Sequence, residues 1–323
     1  MLGAYSRNFV DPLEFKGEFV DPRYQVLAME RGKFEAALTV VRTGNLTVRR
    51  GHISSPILVH SRIPNPRRMF FFQIDPDQAP ILHSGREITP SEIVCYPLES
   101  EHHYRTPTSS LYGTISLTQE CFAAYEKVLV ERGLPAPSAM RVVRPRPAQM
   151  SWLLTLSKAA MDLAETTPDT LLHPEVNKAI EQALMHALMA CLADPGTEET
   201  HRPSRARLSV MSRFEGVLAE NANKPLYLAE ICTTVGVGER TLRQHCLDQL
   251  RMPPHRYLWL RRLYLARRAL ALGDARSTTV TMIANDHGFG EIGRFGVAYR
   301  GQFGEPPSAT LRRAPDLPEA VRR

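Results

Sequence analysis

Apolar residues follow two different periods along this chain. From about Tyr24 to Leu117 they fall in short runs: Ala36–Val41 and Leu46–Arg50 around Thr43-Gly44-Asn45, then Met69–Ile74, then Ile81–His83 and Arg86–Ile88 around Ser84-Gly85. Ile93–Tyr96 and Leu111–Leu117 complete the set. Runs of this length, closed by glycine-bearing turns, predict strands and hairpins. Eight prolines between Pro56 and Pro107 keep the strands short, which fits a sandwich or a barrel. After Glu120 the period becomes helical. Leu153, Leu156, Ala160 and Leu163 make one stripe within Met150–Glu165. Val176, Ile180, Ala183, Leu184, Ala187, Leu188, Cys191 and Leu192 make another within Glu175–Ala193. Thr166-Thr167-Pro168-Asp169 turns one helix onto the next, and the hairpin is expected to cover the β region, to pack on a partner subunit, or both.

The run Asp194–Arg207 has Pro, Gly and charges but no apolar residue beyond alanine, so it predicts a flexible linker. The expected division is a β-plus-helix domain over 1–195, a linker over 196–207, a second domain over 208–313 and a tail over 314–323. A chain of 323 residues suffices for two such domains with separate cores.

The second domain contains one pattern twice. Cys232, Gly236, Leu242, Cys246, Leu250 and Pro254 recur as Ala284, Gly288, Phe295, Tyr299, Phe303 and Pro307, offset by 52 residues up to the glycine and 53 after it. A small buried residue, a turn glycine, an apolar helical stripe and a proline together predict a helix-turn-helix. The helix expected between the copies, His255–Leu272, turns Leu263, Ala266 and Leu270 inward and leaves Arg261, Arg262, Arg267 and Arg268 outside. At roughly 27 Å it suits two modules set in successive major grooves.

Charge sharpens this reading. Residues 205–323 carry 19 Lys and Arg against 11 Asp and Glu, all the basic ones arginine except Lys224, whereas residues 1–204 carry 21 against 23. A basic C-terminal part on a near-neutral remainder points to a polyanion partner for that part. Composition, at 43% hydrophobic and 23% charged, is that of an ordinary globular protein. No apolar run approaches the ~20 residues of a membrane span, and the N-terminal stretch lacks the pattern of a secretory signal, so a cytoplasmic location is expected. Five scattered cysteines without a C-x-x-C pair predict small buried side chains rather than disulfides or a zinc site.

On the first predicted recognition helix, Arg240, Thr241, Arg243 and Gln244 occupy the face left free by the apolar stripe. Arginine can bond guanine and glutamine adenine at the major-groove edge, for about 1–3 kcal/mol of discrimination each. The second recognition helix carries Gly293, Gly296, Ile292 and Val297, with Arg294 and Arg300 as its polar reach. Base reading is therefore expected from the first helix and backbone holding from the second.

Residues 226–313 resemble the DNA-binding domain of the AraC/XylS-type transcriptional regulators. Ile283-Ala284, Gly288-Phe289, Phe295, Tyr299, Phe303-Gly304 and Pro307 carry the resemblance most strongly. Arg262-Leu263, Ala266, Leu270, Pro254 and Tyr257 support it. Three positions depart from the family pattern: Gly238 where a serine or threonine cap is usual, Arg251 where glycine is usual, and Cys246 where a larger residue is common.

The resemblance implies an α+β protein with a cupin-like N-terminal β-barrel and helical hairpin, followed by an all-α domain with two helix-turn-helix modules. It also implies double-stranded promoter DNA, a small-molecule effector, a homodimer and, for an activator, RNA polymerase as partners. Phe71, Tyr96, His102 and Tyr104 are the candidate effector-pocket residues. His102 and His103, adjacent on a predicted strand, point to opposite faces. With no G-x5-H-x-H spacing and no nucleophile motif, no metal, no cofactor and no catalytic residue is expected. The alternatives are a cupin-like enzyme domain tethered to DNA and an architectural DNA-binding protein without an effector.

Overall fold

The computed structural model describes residues 3–16, 18–19, 24–31, 34–62, 67–98, 101–123, 140–193, 198–201, 205–221 and 226–313. Lys224 and the expected tail lie outside them.

Thirteen strands among these residues form two antiparallel sheets. The larger contains β1 (Gly3–Phe9), β3 (Ala36–Arg42), β4 (Leu46–Ile53), β6 (Arg67–Gln73), β9 (Ile93–Cys95), β11 (Ser110–Thr118), β12 (Arg141–Arg144) and β13 (Glu198–His201). Its order is β1-β3-β4-β11-β6-β9-β12-β13. The smaller contains β2 (Gln25–Ala28), β5 (Ile57–Arg62), β7 (Ile81–His83), β8 (Arg86–Ile88) and β10 (Glu101–Arg105), in the order β2-β5-β10-β7-β8.

Both expected hairpins form, with Ala36 to Arg42 opposite Ile53 to Thr47 and Ile81 to His83 opposite Ile88 to Arg86. The barrel does not close. No described strand of one sheet pairs with a strand of the other, and β12 and β13 extend the larger sheet outward instead of returning to the smaller. Strand β13, inside the stretch expected to be linker, pairs with β12 across a register shift at Val142/Val143.

The run Met69–Ile74 is almost wholly apolar because the larger sheet is covered on both faces. Phe70 and Phe72 join a core made with helices α2 (Pro147–Thr166) and α3 (Pro174–Ala193). Between them, Phe71 faces the core shared with the smaller sheet. The helical hairpin thus lies on the outer face of the larger sheet. Its buried α2 stripe is Leu153, Ser157, Ala160, Met161 and Ala164, with Leu156 and Leu163 at the margin. Two carboxylates pin it: Glu165 accepts from Thr39 Oγ1 at 2.7 Å, and Glu181 accepts from the N–H and Nδ2 of Asn45 at 2.9 and 2.8 Å.

The C-terminal part is all helical: α4 (Arg205–Glu220), α5 (Leu228–Val235), α6 (Glu239–Leu250), α7 (Pro254–Leu272), α8 (Val280–Asp286), α9 (Ile292–Phe303) and α10 (Pro307–Arg312), after the short α1 (Pro12–Lys16) near the start of the chain. One apolar core runs without a break from the space between the sheets into the first helix-turn-helix. It joins Phe71, Tyr104 and Val59 to Phe214, Leu242, Cys246 and Tyr257. The second module has its own core of Leu263, Ala266, Leu270, Ile283, Ala284, Phe295, Tyr299 and Leu311. None of the five cysteines is bridged, and all but the half-buried Cys121 are buried.

Candidate nucleic-acid interface and cavity

The duplicated pattern is duplicated in geometry. Gly236 and Gly288 both adopt left-handed backbone, at φ 74° and 75°, where glycine alone carries no Cβ penalty. Each ends its helix in the same way: the N–H groups of Gly236 and Val237 reach the carbonyl of Cys232, and those of Gly288 and Phe289 reach Asn285 and Ala284. At the far end of the recognition helices, Arg251 and Gly304 cap α6 and α9, both left-handed and 53 residues apart. Pro254 and Pro307 then open α7 and α10, where a missing N–H is no loss. Leu242, Cys246 and Leu250 are buried beneath α6, and Phe295 and Tyr299 beneath α9.

The opposite face of α6 presents Arg240, Thr241, Arg243 and Gln244, all exposed. Gln244 donates to Asp248 one turn on, at 2.7 Å, whereas Arg240 and Arg243 form no salt bridge among the described residues. On α9 Arg294 and Arg300 are exposed, and Arg294 pairs with Glu291 at 3.0 Å. Val297 is 76% exposed, and Gly293 and Gly296 face open space. The outward face of α9 is therefore small and apolar, and it lets a partner's backbone come close.

Two arginines expected on the outside of α7 are buried instead. Arg261 Nη2 donates to the carbonyl of Leu218 at 2.9 Å. Arg267 lies between Asp11 and Glu305, with Nε 3.1 Å from Asp11 Oδ2 and Nη1 3.1 Å from Glu305 Oε1, and its guanidinium sits 4.5 Å over the Phe303 ring. Arg267, one turn after Leu263, lies beside the inward stripe and is closed in by Asp11, Tyr299 and Glu305, whereas Arg261 lies on the far side and is covered by α4.

A cavity of about 210 Å³ lies between the two sheets, and all four candidate pocket residues, Phe71, Tyr96, His102 and Tyr104, line it. Sequence reasoning missed Phe19, Tyr24 and Tyr112, which complete the aromatic wall, and the arginines Arg42, Arg49, Arg62 and Arg67 at its polar side. Tyr112 is stacked on Phe71 with centroids 5.7 Å apart, which Gly51 permits: a Cβ there would come within 2.2 Å of the Tyr112 ring. Burial pushes the Tyr104 hydroxyl of the wall up to about 12 and His83, hydrogen-bonded behind it to Tyr96, down to about 3, so both groups are neutral near pH 7. Arg49 remains a cation although burial lowers its pKa, and it has no carboxylate partner among the described residues.

Strand β10 connects cavity and DNA-binding helices. His102 and Tyr104 point into the cavity. The alternate residues point the other way: His103 Nε2 meets Glu215 of α4 at 2.8 Å, and Arg105 Nη1 donates to the carbonyls of Leu250 and Arg251 at 3.3 and 3.2 Å, at the end of α6. Strand β2 ties the smaller sheet to α7 and the second module: the N–H of Ala28 donates to the Tyr264 hydroxyl at 2.8 Å, and Gln302 Nε2 of α9 donates to the Ala28 carbonyl at 2.8 Å.

Residues 231–313 match a family described as a helix-turn-helix domain. The chain is 32% identical over 150 residues to a "Probable thc operon regulatory protein" of Rhodococcus erythropolis, an alignment that spans 46% of this chain and 45% of that protein. It is 23% identical over 258 residues to the "XylDLEGF operon transcriptional activator 1" of Pseudomonas putida, spanning 71% of this chain and 76% of that one. Among solved structures it is similar to the AraC-like transcriptional activator CuxR, at a TM-score of 0.44 and 17% identity, over 79% of this chain and 94% of that one. Residues 231–313 thus fold as a twice-built helix-turn-helix module, capped and spaced in the same way in both copies and joined by one long helix, and the chain is similar to operon regulators of the AraC/XylS type.

Proposed function

We propose that this protein is a cytoplasmic, sequence-specific regulator of promoters in which a small molecule held between the sheets controls how the two helix-turn-helix modules engage DNA. The observation that carries this reading is the alternation along β10, which lines the cavity with one set of side chains and grips α4 and α6 with the other. The cavity exceeds the ~150 Å³ that suffices for a benzene ring. Its aromatic wall and the uncompensated Arg49 fit a ligand with an apolar body and an anionic end. The P. putida relative is an activator, which supports activation and contact with RNA polymerase here. Trp152 and Leu172 on the helical hairpin, 45% and 55% exposed, support a homodimer face.

In this reading α6 selects sequence and α9 holds the backbone. Selection of bound duplexes from a random pool by the full-length protein is expected to return two base blocks about one helical turn apart. Arg240→Ala and Arg243→Ala should each cost about 1–3 kcal/mol on the selected site and relax preference at one block. Arg300→Ala should weaken all sequences alike and reduce the salt slope by about 0.9. Equal losses on all sequences from Arg240→Ala and Arg243→Ala would overturn the division of labour. A panel of aromatic and aliphatic carboxylates tested by thermal shift examines the cavity. Absence of any stabilising compound, together with sequence-blind binding, would favour an architectural protein.

A further inference from the structure

Behind β10, away from the cavity, three chemically matched side chains meet where the sheets join the DNA-binding helices. His60 of β5, His103 of β10 and Glu215 of α4 are 4%, 3% and 2% exposed. One ligand atom from each lies within 4.8 Å of the other two. Glu215 Oε1 is 2.8 Å from His103 Nε2, and Oε2 is 3.6 Å from His60 Nδ1. The imidazoles are stacked, with centroids 4.7 Å apart.

Hydrogen bonding explains only part of this cluster. Glu215 Oε1 accepts from His103 and from the Tyr257 hydroxyl at 2.7 Å, so that oxygen is satisfied. Neither ring nitrogen of the buried His60 has a hydrogen-bond partner. A buried imidazole with both nitrogens unpartnered is costly, and an ion or water is the usual remedy. A cleft of about 10 Å³ lined by His60, His103, Glu215 and Ser84 adjoins them, room for one small guest.

We propose that His60, His103 and Glu215 form a site for one divalent transition-metal ion of the Zn2+ class, which fastens the N-terminal sheets to the DNA-binding unit. Two imidazoles and a carboxylate are a complete protein ligand set for such an ion, with a fourth position left for water. Bonds of 2.0–2.1 Å in a tetrahedral shell place ligand atoms about 3.3 Å apart, against 2.8 and 3.6 Å from the Glu215 oxygens to His103 and His60 and no more than 4.8 Å within the triad, so side-chain rotations complete the shell. The Tyr257 hydroxyl, already on Glu215, would orient the carboxylate from outside the shell. The ligands come from both sides of the junction, so the bound ion resists its opening. The site stands on side-chain chemistry alone and is independent of which effector or DNA sequence the protein recognises.

Full-length protein stripped with a chelator tests this by Zn2+ titration against a chromophoric competitor and by Co2+ absorption in the visible. The expected result is one tight equivalent per chain, an intense tetrahedral Co2+ band and a higher Tm with Zn2+. His60→Ala should lower ion affinity by roughly a hundredfold or more, since even an outer-shell partner is worth about 10–100-fold. It should also abolish the band. His60→Phe keeps the stacking on His103 while removing both nitrogens, and it serves if the alanine variant does not fold. Equal ion affinity in wild type and either folded variant, or only a weak octahedral Co2+ spectrum in the wild type, would show that the cluster is a buried hydrogen-bonded triad and nothing more.

Discussion

Arg251 shows how a single departure from a repeated pattern becomes a measurable strain. Its counterpart in the second copy is Gly304, and both sit in the left-handed conformation that ends a recognition helix. An L-residue there costs about 1–2 kcal/mol, and glycine's larger unfolded-state entropy returns roughly half of that. Arg251 has only a long 3.8 Å pair with Glu87, exposed on both sides, to offset the strain. Arg251→Gly should therefore raise unfolding stability by about 0.5–1 kcal/mol, seen as a higher denaturant midpoint at unchanged slope. A lower midpoint would mean that the side chain contributes more than its contacts suggest. The irregularity was visible in the sequence as a departure from the glycine usual in the family the chain resembles. Its conformational meaning followed from the matching φ angles. The clustering of His60 with His103 and Glu215 was not visible: the three residues are 43 and 112 positions apart, and no local spacing links a strand to a helix on another unit.

At the scale of elements, strands whose two faces meet different neighbours gave mixed signals. The alternation His102 in, His103 out was legible because adjacent strand residues must diverge. What each face would meet was not. Strand content left a sandwich or a barrel open and the family resemblance implied a barrel; two open sheets form, because pairing partners across long loops leave no trace in a single sequence. The larger sheet uses Gly51 to make room for the Tyr112 ring that walls the cavity. Gly51→Ala should push that ring inward and destabilise the protein by about 1–3 kcal/mol through overpacking. It should also weaken the thermal shift given by any carboxylate that stabilises the wild type. Retention of both full stability and the full ligand shift would show that the wall yields elsewhere.

For the molecule as a whole, the repeat told where the DNA-binding unit is, and the unit's attachment was the part hidden from view. Helix α7 was expected to expose four arginines, yet Arg267 is closed in by Asp11 from the start of the chain and Glu305 from its end. Helical period fixes direction but not neighbours 256 positions away. Asp11→Asn keeps the cap on Leu13 while removing the charge facing Arg267. It should lower stability by about 1–3 kcal/mol, less than the full cost of breaking a buried pair because Glu305 remains. Amide exchange at Ala28, whose N–H is held by Tyr264, should accelerate with it. Unchanged exchange there would mean that the junction holds without this pair.

Strand β10 imposes a constraint of its own. Its side chains touch the cavity at His102 and Tyr104 and the helices at His103 and Arg105, so in the proposed function a guest on one face and a duplex on the helices would share one free-energy surface. Coupling of this kind is reciprocal: whatever factor a guest applies to operator affinity, operator must apply to guest affinity. Under the proposed control, a guest that raises operator affinity should be held more tightly by protein saturated with the duplex than by free protein, and a guest bound equally well in both states regulates nothing.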